Sequence, residues 1–230
     1  REIISIDNEV NIYSTKNLSL AQKGKLSAKF GVEMSDFITT RNNRLKSRLV
    51  KNSIKNVVIT SQNAVDSLLE NFISQELNFE NIFCVGKRTK RLIEKKIGKV
   101  AHIENSAEKL AKYLVDNIDE KEVTFFCGNK RRDELPAILA ENGIKINEVE
   151  CYQTQLTPRK IEGKFNGIMF YSPTGIESYL KENKTTESVA FCIGETTANE
   201  ARKYFKNVVV SSLPTVESVL KSVNEHFQEL

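Results

Sequence analysis

Six short segments of this 230-residue chain set small polar residues beside cations in a way that suits the capture of an anion. They read Ser14-Thr-Lys16-Asn17, Ser61-Gln-Asn63-Ala64, Gly86-Lys87-Arg88-Thr89, Gly128-Asn-Lys130-Arg131-Arg132, Ser172-Pro-Thr174-Gly175 and Gly194-Glu-Thr196-Thr197. Each follows an apolar run of strand character and precedes a stretch of helical periodicity. A helix starting there presents unpaired N–H groups and a partial positive charge beyond the strand end. Such amides, joined by Lys16, Lys87, Arg88 and Arg132, would grip a multiply charged carboxylate or phosphate.

Every one of these elements also has a purely structural reading. Ser61 and Ser172 serve equally well as N-caps, each worth about 1 kcal/mol. Gly86 and Gly194 permit a tight strand-to-helix turn. The run from Lys87 to Arg91 fits a solvated helix face, and Tyr152 fits simple packing. The binding reading rests on recurrence of the same turn chemistry at corresponding places in two halves of the chain. Neither G-x-x-x-x-G-K-[ST] nor G-x-G-x-x-G occurs, which argues against a P-loop NTPase and a typical dinucleotide enzyme.

Composition narrows the class. Apolar residues make up 40 % and charged residues 28 %, the balance of a globular chain. A net charge of +4 is too small for a dedicated nucleic-acid binder but suits an anionic small molecule if the charge is local. No apolar run approaches the ~20 residues of a membrane span, and Arg1-Glu-Ile-Ile-Ser-Ile-Asp7 is too polar for a secretory leader. Cys84, Cys127, Cys151 and Cys192 form no CxxC pair, and three of them sit in apolar strand-like runs. Buried, reduced thiols in a cytoplasmic protein are the expectation. His102 and His226 stand alone, which leaves no metal cluster and no Ser-His-Asp triad to build.

The elements that must position the turns repeat. Val57 to Leu69 resembles Ile168 to Leu180, and Ile82 to Thr89 resembles Ala190 to Thr197, at offsets of 111 and 108. Val100 to Leu110 pairs more weakly with Val208 to Ser218. Asn11 to Ser19 and Thr124 to Glu134 form a further pair, each expected to open a basic helix. Each of those helices ends near a Gly, Gly31 and Gly143, that leads into a strand. The order of units requires one continuous domain over 41–151 and a discontinuous one from 1–38 plus 157–230. The chain would cross twice, near 38–41 and 152–158. Alternating strands and helices imply parallel sheets with right-handed connections. The expected class is therefore α/β: two flavodoxin-like domains with parallel five-stranded sheets, joined by a two-stranded linker. If the domains face each other, the six turns line one cleft.

In this order and spacing the turns resemble those of the uroporphyrinogen-III synthase family. A T-S-P-x-A-V turn appears as Thr60-Ser61-Gln62-Asn63-Ala64-Val65, and V-G-x-x-T-A as Val85-Gly86-Lys87-Arg88-Thr89-Lys90. C/R-G-N/D-x-x-R-x-x-L appears as Cys127 to Leu135, and V-Y-x-T as Cys151-Tyr152-Gln153-Thr154. S-P-[ST]-G at Ser172 to Gly175 and I-G-x-T-T-A at Ile193 to Ala198 are intact. The opening T-R-P departs most, as Thr15-Lys16-Asn17; Lys keeps the charge without the bidentate fork of Arg.

The resemblance implies a reaction. Hydroxymethylbilane, a linear polycarboxylate tetrapyrrole, would lose water, close, and invert ring D through a spiro intermediate to give uroporphyrinogen III, without metal or organic cofactor. The bilane carries much of its own reactivity, so the protein's main task is positioning. Ser61, Asn63, Gly86, Thr89, Ser172, Thr174, Gly175, Thr196 and Thr197, with the four cations above, are the expected substrate-binding residues. The resemblance makes Tyr152 the expected general acid, since an ordinary phenol keeps its proton at neutral pH. The protein is expected to act as a cytoplasmic monomer, with neither nucleic acid nor membrane as partner. The rival expectations are a hinged two-lobe anion- or sugar-binding protein without catalysis, and a flavodoxin-like regulatory module. The first wants an aromatic-lined cleft, and this chain has no Trp; the second wants an acidic pocket at the strand ends.

Overall fold

A computed structural model describes residues 9–185 and 187–228 of the chain; the polar N-terminal stretch judged unlike a leader lies outside the described residues. The elements run β1 (Val10–Ser14), α1 (Leu20–Lys23), β2 (Phe30–Met34), β3 (Ile38–Asn42), β4 (Ile54–Ile59), α2 (Gln62–Asn71), β5 (Phe79–Val85) and α3 (Lys87–Lys96). They continue with β6 (Val100–Glu104), α4 (Ala107–Asn117), β7 (Glu122–Gly128), α5 (Glu134–Glu141), β8 (Lys145–Leu156) and β9 (Gly167–Phe170). The chain closes with α6 (Pro173–Glu182), β10 (Val189–Cys192), α7 (Glu195–Ala201), β11 (Val208–Val210) and α8 (Val216–His226). A first unit comprises the chain up to Thr39 and from Gln155 onward, and a second spans Thr40–Thr154.

The first unit holds a five-stranded sheet in the order β11-β10-β9-β1-β2, and the second a six-stranded sheet in the order β3-β8-β7-β4-β5-β6. The pairs β1–β2, β1–β9, β9–β10 and β10–β11 are parallel, as are β4–β5, β4–β7, β5–β6 and β7–β8. If β9, β10, β11, β1 and β2 are matched with β4, β5, β6, β7 and β8, the two orders coincide. The internal repeat therefore exists as two copies of one sheet, with the chain entering them at different strands. The expectation of five strands in each sheet fails in the second unit. β3, read from the sequence as linker alone, lies along β8 as an added edge strand, where the Asn43 amide continues its line by donating to the Cys151 carbonyl at 2.8 Å.

Both sheets are covered on both faces, so their strands read as apolar runs without alternation. In β4, Val57 and Ile59 point into one core cluster, with Ala64, Val65 and Leu68 of α2 and Ile93 of α3. Val58 points into the other, with Leu110, Ala111 and Leu114 of α4 and Leu135 and Leu139 of α5. In the first unit Ile168 and Phe170 of β9 face Ile176, Tyr179, Ala198 and Ala201. Met169 faces Leu26 and Val219, Leu220 and Val223 of α8. Side-chain caps start most of the longer helices: Ser61, Ser106, Ser172 and Thr215 each accept from the amide three residues on. Gly86 and Gly194 start α3 and α7 without a side-chain cap.

One expected helix is nearly absent. Asn11 to Ser19 does not open a long helix, because Asn17 is held by Asp36 (N to Oδ1 2.9 Å, Nδ2 to Oδ2 3.1 Å). Ser19 then caps a four-residue turn in a reciprocal box with Gln22. Lys16 consequently sits in a loop and not in a helical first turn.

Phe37 is fully buried in the first unit between Tyr13 and Tyr179, and its carbonyl accepts from the Thr157 amide and the Ser178 hydroxyl. Truncation to Ala removes a large aromatic from a packed site, a loss of about 3–5 kcal/mol. Phe37→Ala is expected to accelerate amide hydrogen exchange in β1 and β9 while leaving β4 and β7 unchanged. Equal acceleration in both units would show that they do not open separately.

Candidate functional site

In parallel sheets all the strand-to-helix turns of a unit emerge at one edge, and ligands bind there where the strand order reverses. In the second unit that reversal lies between β7 and β4, which end at Gly128 and Ile59. Here Tyr152 donates its phenolic hydrogen to Ser61 Oγ at 2.9 Å. Ser61 Oγ also accepts the Ala64 amide at 3.3 Å, so Ser61 is both the N-cap of α2 and the acceptor for Tyr152. With both acceptor positions used, the Ser61 proton is the one left to donate outward.

A β-bulge puts Tyr152 there. β7 and β8 stay in register from Glu122↔Lys145 to Cys127↔Glu150, and then Gly128 pairs with Tyr152, leaving Cys151 as the extra residue. Strict alternation would send Tyr152 to the face opposite Cys151; with the bulge, both pack on the α2 side. The displaced Cys151 carbonyl is held by Ser67 Oγ at 2.6 Å and by the Asn43 amide at 2.8 Å. Asn129 locks the strand beyond the bulge: its amide donates to the Tyr152 carbonyl at 3.1 Å and its side chain exchanges hydrogen bonds with the Thr154 backbone at 2.8 and 3.3 Å. Gly128 supplies the room. A Cβ on it would lie 2.5 Å from the Tyr152 ring and 2.9 Å from its hydroxyl.

The phenol stays protonated. Burial pushes the Tyr152 pKa above its ordinary 10.0, against the smaller opposing effect of the Ser61 hydrogen bond. Burial likewise lifts the neighbouring Cys127 and Cys151 thiols to about 11 and about 12, so neither is a thiolate nucleophile at neutral pH. All four cysteines are free and buried.

The remaining expected residues of this unit surround the same edge. Asn63 is exposed on the first turn of α2, and Lys87 and Arg88 on that of α3, with Thr89 buried beneath them. Gly86, at φ 86°, makes the bend into α3, whose first amides have no side-chain cap. The basic cluster after β7 differs from expectation. Lys130, Arg131 and Arg132 precede α5, which begins at Glu134, so they occupy a turn and not a helix. Arg131 is held by Asp133 at 2.7 Å and Glu148 at 2.8 Å, and Arg132 is exposed.

The first unit has its reversal between β1 and β9. Ser14 Oγ meets the Tyr171 hydroxyl at 2.8 Å and donates to the Lys16 carbonyl at 2.6 Å, while Thr15 Oγ1 donates to the Met169 carbonyl at 2.7 Å. Lys16 Nζ stands 5.9 Å from the centre of the Tyr171 ring. Ser172 accepts the Gly175 amide at 2.9 Å. Thr174 is partly buried on the same first turn, and on α7 Thr196 is exposed and Thr197 buried. Sequence reasoning missed Gly128 and Asn129 as the setting for Tyr152, and Tyr171 and Ser14 as the setting for Lys16. For the first pair the signal was present, a Gly-Asn closing an apolar strand; for the second there was none.

The Gly128 contact predicts a coupling. Gly128→Ala should cost about 1–3 kcal/mol in the wild type through overpacking. It should cost far less in a Tyr152→Ala background, as read by denaturant unfolding of a double-mutant cycle. Equal costs in both backgrounds would mean that the ring does not need the missing side chain.

Comparison with known proteins bears on this site. A family model described as "Uroporphyrinogen-III synthase HemD" matches residues 32–221. The "Porphyrin biosynthesis protein HemD" of Ruminiclostridium josui is 25 % identical over 189 residues, 74 % of this chain; the chain spans only 37 % of that relative. Two solved structures are similar in fold, each at 16 % identity. The uroporphyrinogen-III synthetase of Helicobacter pylori 26695 has a TM-score of 0.63, with 94 % of this chain and 99 % of that one covered. A mutant uroporphyrinogen III synthase of Thermus thermophilus has a TM-score of 0.74, with 96 % and 100 % covered. With the family model spanning most of both units, the chain belongs to the uroporphyrinogen-III synthase HemD family.

Proposed function

We propose that this protein is a uroporphyrinogen-III synthase, a cyclising hydro-lyase of tetrapyrrole biosynthesis that acts on hydroxymethylbilane. The observation that carries the reading, beyond family membership, is the Tyr152–Ser61 pair at the switch point of the second sheet, with its buried and protonated phenol. The outward Ser61 proton passes to the hydroxyl that leaves as water, and Tyr152 replaces it on Ser61. The ring carbon that forms the new bond loses a proton, which restores the phenol, so the enzyme ends unchanged. Carboxylates are held by the open amides of α3 with Lys87 and Arg88, by Arg132, and by Lys16 in the first unit, with Asn63, Thr89, Ser172, Thr174, Gly175, Thr196 and Thr197 lining the turns. Holding the bilane folded for ring inversion is the larger part of the work. This chemistry calls for no metal or organic cofactor.

Four reduced cysteines suit a cytoplasmic protein, and we take it to act as a monomer. No helix among the described residues is long and apolar enough to cross a membrane.

The test is direct: mix the protein with freshly made hydroxymethylbilane, oxidise, and separate the isomers. Type III product is expected; type I alone would leave a binding protein without catalysis. Tyr152→Phe should lower kcat by about 10–100-fold, the scale of a modest general acid. Wild-type turnover in that variant would remove Tyr152 from the reaction. The donor must be protonated and its folded-state pKa is raised, so activity should persist as pH rises to the ordinary tyrosine value of 10.0 and fall only beyond it. An alkaline limb near neutrality, retained in Tyr152→Phe, would assign the acid elsewhere.

A further inference from the structure

Net positive charge in this chain is confined to one unit and, within it, gathers on one face. Residues 40–154 hold 20 Lys and Arg against 16 Asp and Glu, whereas the rest of the chain holds 14 of each. Residues 41–55 contribute six cations and no carboxylate, and residues 87–99 contribute seven cations and only Glu94. Both stretches cover the same side of the second sheet, because Leu45, Leu49 and Val50 share a core cluster with Leu92, Ile93 and Ile97 of α3. The other side belongs to α4 and α5. Beside α3 a groove of about 430 Å³ is lined by Lys87, Lys90 and Arg91 together with Glu94, Ile103 and Asn105.

Arg41, Arg44, Lys46, Arg48 and Lys51 are all exposed, and none makes an ion pair among the described residues. The carboxylates on α2 and α3 are Asp66, Glu70 and Glu94, with Glu76 on the short 3-10 turn after α2 and Glu80 on β5, which accepts from Ser53. Glu70 accepts from Asn42, and Glu94 pairs with Lys90. Unpaired like charges repel one another and give the fold nothing, so they point to an anion from outside. The row begins where Arg41 meets Gln153 Oε1 at 3.5 Å, one residue from Tyr152. It then follows β8 and the end of α2, with the Leu45 amide on Asn71 Oδ1 at 2.8 Å.

We propose that this face is an electrostatic capture surface for a free polycarboxylate, which it draws toward Tyr152 on β8. The identity of that anion as the tetrapyrrole rests on the proposed function. Such a field raises association rates by about 10–1,000-fold and leaves chemistry on the bound ligand unchanged. At a Debye length of about 10 Å in 0.1 M salt, the effect is screened as salt rises.

The test is stopped-flow capture of uroporphyrin III, the oxidised polycarboxylate macrocycle, alongside turnover of hydroxymethylbilane. The variant Arg44→Gln, Lys46→Gln, Arg48→Gln, Lys51→Gln is compared with a control of equal charge loss elsewhere, Lys109→Gln, Lys112→Gln, Lys121→Gln, Lys145→Gln. At low salt the first should associate about tenfold more slowly than wild type, with a flatter salt dependence and unchanged kcat, and the control within about twofold. If variant and control behave alike while type III product forms, the capture surface is wrong and the synthase reading stands. If wild type captures the macrocycle in the expected pattern but yields no type III product, the synthase reading is wrong and the surface stands. Absence of both capture and turnover overturns both.

Discussion

A tyrosine ring laid against a glycine holds the working edge of the second unit together. The Tyr152 ring occupies the volume that any side chain on Gly128 would need. It reaches that position only because β8 gains one residue relative to β7 at Cys151. The bulge costs a ladder pairing, and Ser67 and Asn43 offset the loss by donating to the displaced carbonyl. The same shift lets one serine cap α2 and orient the phenol. Burial then keeps the phenol protonated, so packing sets both the position and the protonation state of the group.

The two units share a sheet and differ in the chemistry laid on it. Each places a tyrosine hydroxyl against a serine where its strand order reverses, Tyr152 with Ser61 and Tyr171 with Ser14. The tyrosines are not equivalent in the repeat: Tyr152 lies within β8, the partner of β2, and Tyr171 follows β9, the partner of β4. The turn after β7 holds a Gly-Asn pair that binds the neighbouring strand, whereas the turn after β1 leads through Lys16 into a loop pinned by Asp36. The two units thus share one strand order and differ in the residues set at its turns.

Charge follows a division of labour. Arg131 is spent internally on Asp133 and Glu148, where it braces the turn after β7 against β8. Exposed pairs of this kind add little to stability, but this one fixes the direction of a turn. Arg132, Lys87 and the row from Arg41 to Lys51 stay exposed. The second unit thus carries the whole net charge of the protein, and the first is balanced.

Local pattern alone made much of this legible. Apolar runs ending in Ser or Gly and followed by helical periodicity located the strand-to-helix turns, because each such turn must satisfy helix amides within a few residues. The near-constant offsets between segments revealed the duplication, and with it parallel sheets. The features that lay beyond the sequence depended on partners distant along the chain. That β3 joins a sheet follows from β8 lying beside it, and that Lys16 leaves the helix follows from Asp36. A bulge leaves no mark in residue alternation until the facing strand is known. The face that Tyr152 presents, and the need for Gly128 beneath it, were therefore settled by pairing between β7 and β8.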